Sequence, residues 1–334
     1  MLKRLLTVFF LATLLASPAV ASEQVRIVGS STVFPLIAAA AEQFGRLGQF
    51  RTPIVEANGT GGGFKMFCEG VGERYPDIAD ASRPIKPSEV ALCHKNGVTE
   101  MTELRIGYDG IVFANALGQA PYALTKRAIF LALARDVPKG GVLVPNFYTR
   151  WSEIDPRLPD TPIEVYGPPP VEGTRDAFIE LVMQDACKAM PEFAGASADD
   201  ARRAQQCGAL REDGRYIELL GGNLMVQKLV NNTGALGIFS YSFLDQNRAL
   251  VRANPVDGIS PSFATIIGRQ YGVARSLFIY VKNAHLGRVP GLAAFARFVA
   301  SDAATGEDGF LVVKGLIPLA KADHEAVKKV AAGL

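Results

Sequence analysis

The chain has 334 residues, with 35 Lys+Arg against 33 Asp+Glu and a formal charge of +2. Hydrophobic residues make up 49% and charged residues 20%, an ordinary globular composition that excludes a disordered, collagen-like or disulfide-dominated chain. At roughly 150 residues per domain the length points to two domains, each large enough to bury its own core.

The first residues read as a leader. Lys3 and Arg4 precede an apolar run of 11 residues, Leu5 to Leu15, and Ala19-Val20-Ala21 matches the small-x-small cleavage rule. Eleven residues are too few to span a bilayer, which takes about 20. A signal peptide over 1–21, cleaved after Ala21, is expected, and no later stretch is long and apolar enough to span. The product is therefore expected in the periplasm, without a lipid anchor, since no Cys directly follows the cleavage site. Without the leader the chain has 33 Lys+Arg against 33 Asp+Glu. No basic run is interleaved with aromatics, so nucleic acid is not an expected partner.

Val25–Gly29 (VRIVG) reads as a short buried strand, and Pro35–Leu47 as an Ala-rich helix stopped by Gly48. Pro53–Ala57 is a second strand, Gly63–Val71 a second helix, and Asp77–Ala81 a third strand. Alternating strands and helices imply a parallel sheet with helices on its faces. Arg105–Asn115 is a longer β-rich run suited to carry the chain between domains. Then come Trp151–Ile154, a strand at Pro162–Tyr166, and a helix from Thr174 with Ala177, Phe178, Leu181, Val182 and Met183 in one apolar stripe. Ala194–Gly208 reads as an excursion, Gly234–Tyr241 and Ser276–Val281 as strands, and Pro290–Ala300 as a helix. The four cysteines, Cys68, Cys93, Cys187 and Cys207, are an even count in an exported chain. Chain proximity favours Cys68–Cys93 and Cys187–Cys207. The rivals are a metal site or free thiols, but there is no CxxC, and of His94, His285 and His324 only His94 lies near a Cys, without metal-ligand spacing.

The informative feature is the polar loop after each of four strands. Gly29-Ser30-Ser31-Thr32-Val33 comes after the first, Asn58–Gly63 (NGTGGG) after the second, and Ser82-Arg83-Pro84 after the third. Gly167–Arg175 (GPPPVEGTR) comes after the strand of the middle segment. Ligands of open α/β sheets sit beyond the carboxyl ends of the strands. Helix N-termini there present unpaired N–H groups and a partial positive charge. Glycine permits close backbone approach, hydroxyls are neutral donors, and arginine forms bidentate bonds. Singly, each loop has a purely structural reading: Ser30 to Thr32 as helix caps, Gly61–Gly63 as a turn, Arg83 as a surface residue, Thr174 as an N-cap. The recurrence of the same chemistry after each strand favours a site for a compact oxyanion. The glycine run is not a P-loop, because Lys65 is followed by Met66.

With these loops the chain resembles the periplasmic phosphate-binding proteins of ABC uptake systems. The resemblance spans nearly all of the exported chain. It rests on GSSTVFPL (Gly29–Leu36), GTGGGF (Gly59–Phe64), DIADASRPI (Asp77–Ile85), EGTRDAF (Glu172–Phe178), VQKLVNNTGALGIFSY (Val226–Tyr241) and RQYGVARSLFIYVKN (Arg269–Asn283). It implies an α/β, two-lobed, type II-like binding protein that hinges shut on its ligand. The first lobe is expected to combine 22–109 with 241–334, and the second to comprise 110–240. It implies ligand contacts from Ser31, Thr32 and the N–H of Val33, from Thr60 and Gly61, from Ser82 or Arg83, and from Glu172, Gly173, Thr174 and Arg175. Two departures bear on specificity. The second-lobe arginine common in the family falls on Pro168, and the serine of its Ser-Gly-Thr loop is Glu172. A carboxylate repels a phosphate dianion unless one of them holds a proton, so Glu172 is expected either to read a protonated phosphate or to point away, with Arg83 and Arg175 replacing the missing charge.

The leading expectation is a monomeric receptor that captures phosphate and delivers it to an inner-membrane ABC permease, with no cofactor, no metal and no catalysis. The alternative in the same class is a receptor for a phosphonate, molybdate or organic acid. A hydrolase using Ser31 or Ser82 would need a base within reach, and none of the three histidines lies in the four loops. A structural or adhesive protein would leave those loops unexplained.

Overall fold

Arg26–Gly29 forms strand β1, with Ile27 and Val28 fully buried. Such two-sided burial is the mark of a parallel strand covered by helices. A computed structural model describes residues 24–194 and 200–334; the expected leader and part of the 194–208 excursion lie outside the described residues. β1 pairs in parallel with β2 (Ile54–Ala57) and β3 (Ile78–Ala81). Helices α1 (Phe34–Arg46), α2 (Thr60–Phe67) and α3 (Pro87–Lys95) come after these strands in turn. α2 begins at Thr60, three residues before the sequence-based start at Gly63, so the glycine run is helical.

Strand β4 (Met101–Ala116) is 16 residues long and buried almost throughout. The hairpin β5 (Asp136–Lys139) and β6 (Val142–Pro145) forms a separate two-stranded sheet. β7 (Val165–Gly167), β8 (Tyr216–Glu218), β9 (Leu236–Ser240), β10 (Val251–Ala253) and β11 (Ala274–Lys282) complete the main sheet. Its order is β2-β1-β3-β11-β4-β9-β7-β8, with β10 also on β4. The first part of β4 pairs antiparallel with β11, and its last part pairs with β9 and β10. β4 thus carries the chain from one half of the sheet to the other, as its β-rich composition suggested. Helix α4 (Lys126–Leu133) packs on the second half, and α5 (Gly173–Phe178) comes after β7.

Apolar residues cluster largely by half, although Tyr108, Ile317 and Leu319 join the large cluster of the second half. Val25, Ile27, Ile37, Phe44, Leu104, Leu277 and Phe295 form one cluster, and Phe64, Phe67, Val98 and Tyr280 a smaller one beside α2. Val112, Phe113, Phe130, Trp151, Val165, Phe178 and Ile238 belong to the large cluster of the second half. Leu244, Val251, Val256, Tyr271 and Val273 also belong to it, although 241–273 was expected in the first lobe. The reason is β10 on β4, with the Tyr271 hydroxyl donating to the Ile111 carbonyl at 2.8 Å. The chain returns to the first half only with β11.

Disulfides join Cys68 to Cys93 and Cys187 to Cys207. The first ties the end of α2 to α3, and the second ties the short helix Asp185–Lys188 to the helix Asp200–Gly208. They close loops of 25 and 20 residues, each worth about 3 kcal/mol by the chain-entropy estimate. Reduction is therefore expected to lower the denaturant midpoint, and Cys187→Ala with Cys207→Ala to lose about that amount in urea titration. An unmoved midpoint would count against a stabilising role.

Candidate anion-binding cleft

The loops after β1, β2 and β3 are drawn together by two glycines. A Cβ on Gly29 would lie 2.0 Å from the Asp80 carbonyl, and one on Gly63 would lie 2.4 Å from Gly29 Cα. Only glycine lets three backbones approach so closely. Thr60, first residue of α2, accepts the Ser82 N–H through Oγ1 at 3.2 Å, and the two hydroxyls are 3.1 Å apart. Gly61 is exposed in the same turn. The N–H groups of Thr60, Gly61 and Gly62 have no intrahelical acceptor. In the first loop, Ser30 Oγ accepts from the N–H groups of Thr32 and Val33, at 3.2 and 3.4 Å, and Val33 also donates to the Ser30 carbonyl. The Val33 N–H, expected to face ligand, is thus engaged within its own loop.

The loop after β7 comes from the other half of the sheet and meets the first loop directly. Thr32 Oγ1 donates to the Gly173 carbonyl at 3.3 Å, and a Cβ on Gly173 would lie 2.8 Å from Thr32 Cα. Gly173 and Thr174 open α5, again with N–H groups beyond the reach of intrahelical acceptors. A cavity of about 270 Å³ beside this contact has Thr32, Asp109, Glu172, Gly173 and Thr174 in its wall. A second, of about 410 Å³, is walled in part by Ser82, Arg83, Glu180 and Arg275. A larger cavity of about 730 Å³ lies away from the loops. Its wall carries Asp245, Asp302, Glu307 and Glu325 beside Lys321 and His324, a predominantly acidic lining that disfavours an anion.

The expected charge carriers are committed elsewhere. Arg83 makes a bidentate pair with Glu89, at 2.7 and 2.8 Å. Burial works to raise the Glu89 carboxyl, but the Arg83 bonds outweigh it and hold the group below its ordinary range. Arg175 donates to the Pro168 carbonyl, the Tyr216 hydroxyl and Glu218. Glu172 accepts the Gly221 N–H at 3.0 Å, so its carboxylate has a partner within its own half. The Ser31 hydroxyl bonds Asp176, whose carboxyl is nonetheless raised, chiefly by burial. The Ser82 hydroxyl has Thr60 as its partner; neither serine is paired with a histidine. His285 pairs with Asp77, and His324 with Thr305. Among the described residues, no group of three His, Cys, Asp or Glu is placed to hold a metal ion.

Three buried groups at this place are absent from the sequence-based site. Asp80, behind the first loop, accepts the Ser30 N–H through Oδ1 at 2.5 Å, while Oδ2 has no hydrogen-bond partner. Burial pushes its carboxyl up to about 8, against the pull of the Ser30 bond. Arg275 donates to Thr32 Oγ1 at 2.7 Å and pairs with Glu180. Asp109, its register partner on β4, is 3.8 Å from Arg275 Nε. Its carboxyl is raised by burial despite that arginine. The available signal was a charge inside an apolar run, as Asp109 in RIGYDGIVFAN and Arg275 in ARSLFIYV.

Among the described residues, no helix is long and apolar enough to cross a membrane. The model of a PBP superfamily domain matches residues 16–303. The protein SphX of Synechocystis sp. is 32% identical over 293 residues, covering 86% of this chain and 77% of that one. The phosphate-binding protein PstS of Staphylococcus saprophyticus is 27% identical over 303 residues, covering 89% and 80%. The crystal structure of a possible phosphate binding protein from Planctomyces limnophilus is 28% identical, with a TM-score of 0.76 over 94% of this chain and 99% of that one. The paired half-sheets joined by β4 are the two-lobed α/β architecture of these neighbours. A family match over most of the length, together with this fold, places the chain in the PBP superfamily.

Proposed function

We propose that the chain captures inorganic phosphate between the two halves of the sheet and delivers it to an ABC-type permease in the inner membrane. The contact of Thr32 with Gly173 carries the reading. It brings the hydroxyls and helix-opening N–H groups of both halves to one place. Neutral donors and helix termini stabilise a desolvated anion without a large net charge. Relatives named for phosphate binding support the same ligand.

Titration calorimetry of the ligand-stripped protein with phosphate, at two pH values and with sulfate as competitor, tests it. Sub-micromolar binding untouched by sulfate is the expected result; no phosphate binding sinks the proposal. Thr174→Ala is expected to lose a charge-assisted bond worth about 1.5–3 kcal/mol, read as a fall in affinity on the order of ten- to a hundredfold. Unchanged affinity would mean that the ligand lies elsewhere. The carboxylates of Asp109, Asp176 and Glu180 around Arg275 favour, as a second reading, an oxyanion that carries a proton, such as a phosphonate monoanion. A ligand panel separates the two.

The same reading makes the protein a monomeric receptor without catalytic activity, exported to the periplasm with cleavage after Ala21. Its lobes are 22–109 with 274–334, and 110–273, the second boundary moved from 240 by the packing of 241–273.

A further inference from the structure

We propose that Arg275 is the arginine that holds the anion in the cleft, and that Glu180 occupies its guanidinium in the anion's place. The proposal rests on the phosphate reading above and adds a residue to it. Arg83 and Arg175, which stand in the loops themselves, are turned toward other partners: Arg83 pairs with Glu89, and Arg175 Nη1 donates to Pro168, Tyr216 and Glu218. Arg275 differs in three respects.

First, it touches the anion loop. Its Nη2 donates to Thr32 Oγ1, the hydroxyl that itself bonds Gly173 across the cleft. An oxygen bound at Thr32 is therefore within reach of the guanidinium. Second, it holds a donor that is both buried and unpartnered. A guanidinium offers five N–H donors, and Arg275 Nε has no hydrogen-bond partner despite its burial. Asp109 Oδ2, 3.8 Å away, is likewise without one. Third, the pair with Glu180 is asymmetric. The Arg275 side chain is 9% exposed and that of Glu180 is 52% exposed. Glu180, already half exposed, can return to water when it is displaced. Arg275 has no such exit, because a buried cation without a partner is strongly unfavourable. An arriving anion replaces one negative partner of Arg275 by another, so no unpaired charge is buried. The exchange also trades a single carboxylate for an oxyanion that Thr32 and the N–H groups of Gly173 and Thr174 hold together.

Two substitutions with opposite expected signs test this. Calorimetric titration with inorganic phosphate is run on the wild type, Arg275→Gln and Glu180→Gln, with thermal melts of the phosphate-free proteins as the folding control. Arg275→Gln is expected to weaken phosphate binding about ten- to a hundredfold, the worth of a charge-assisted bond. Glu180→Gln removes the competing carboxylate and is expected to tighten binding several-fold. If Arg275 and Glu180 merely strut the two halves, both variants weaken binding, and the proposal is overturned. Arg275→Gln that binds like wild type overturns it as well. Should Arg275→Gln melt well below the wild type, Arg275→Lys keeps the charge without the fork and is expected to bind more weakly than wild type while Glu180→Gln binds more tightly. A wild type that binds no phosphate instead fails the reading of the cleft itself, and this assignment falls with it.

Discussion

Gly63→Ala is expected to destabilise the protein and weaken phosphate binding by more than tenfold. In most helices the same change is favourable, since alanine exceeds glycine in helix propensity by about 1 kcal/mol. Here the sign reverses. The new Cβ would lie 2.4 Å from Gly29 Cα, 3.0 Å from Gly29 N and 3.1 Å from the Val28 carbonyl. Every one of these atoms is backbone, so no side chain can swing aside. Either α2 or the end of β1 must move, and overpacking of this kind costs about 1–3 kcal/mol. Thr60 sits in the same helical turn as Gly63, so a shift of α2 draws the Thr60 hydroxyl from Ser82. The first and second loops then no longer present their donors to a common point. A loss of about 1.4 kcal/mol in binding is tenfold in affinity. Gly62→Ala is the control: its Cβ would meet only Asn58 Cβ, at 3.5 Å, an ordinary contact. Melting temperature and phosphate titration of the two variants decide the matter. Equal stability and equal affinity would show that the Gly29–Gly63 approach does not set the loops.

That pair of glycines also shows what the sequence could and could not reveal. The loops were legible because strand, glycine, hydroxyl and helix succeed one another locally after β1 and β2. The cysteine pairs were legible because each closes a short loop. The start of α2 was misplaced because helix propensity counts against Gly61–Gly63, whereas the contact with Gly29 requires a glycine there whatever the propensity. Arg275 was missed for a different reason. It reaches Thr32 from 243 residues away in the chain, through the insertion of β11 between β3 and β4. That is a long-range, antiparallel pairing, and no local pattern specifies it. The packing of β10 was not legible for the same reason, since it pairs with β4 after the helix next to β9. Arg83 and Arg175 were legible as loop residues, but a sequence does not show which carboxylate a guanidinium will meet.

Asp80→Asn is expected to flatten the dependence of stability on pH between about pH 4 and pH 8. The Asp80 carboxyl is 1% exposed. Oδ1 accepts the Ser30 N–H and Oδ2 has no hydrogen-bond partner. Burial raises its pKa from 3.8 to about 8, the Ser30 bond pulling the other way. The unfolded chain releases this proton near pH 4, and the native protein holds it up to about pH 8. Between those values the native state binds more protons than the unfolded state, so stability falls as pH rises. The limiting slope is about 1.4 kcal/mol per pH unit. Below about pH 4 both states are protonated, and above about pH 8 both are ionised, so the contribution is flat on either side. Asparagine has the shape of the neutral acid and does not titrate. The variant should therefore lack this slope and exceed the wild type in stability near pH 8. Urea titrations of both proteins from pH 4.5 to 8.5 measure it, and parallel curves would refute the assignment. The consequence reaches the cleft. Asp80 fixes Ser30, and Ser30 Oγ fixes the N–H groups of Thr32 and Val33. Ionisation above about pH 8 puts a negative charge directly behind the first loop, where it opposes an anion in front. Phosphate affinity of the wild type should accordingly fall above that pH, beyond any change due to the ligand's own ionisation, and the fall should be smaller in Asp80→Asn.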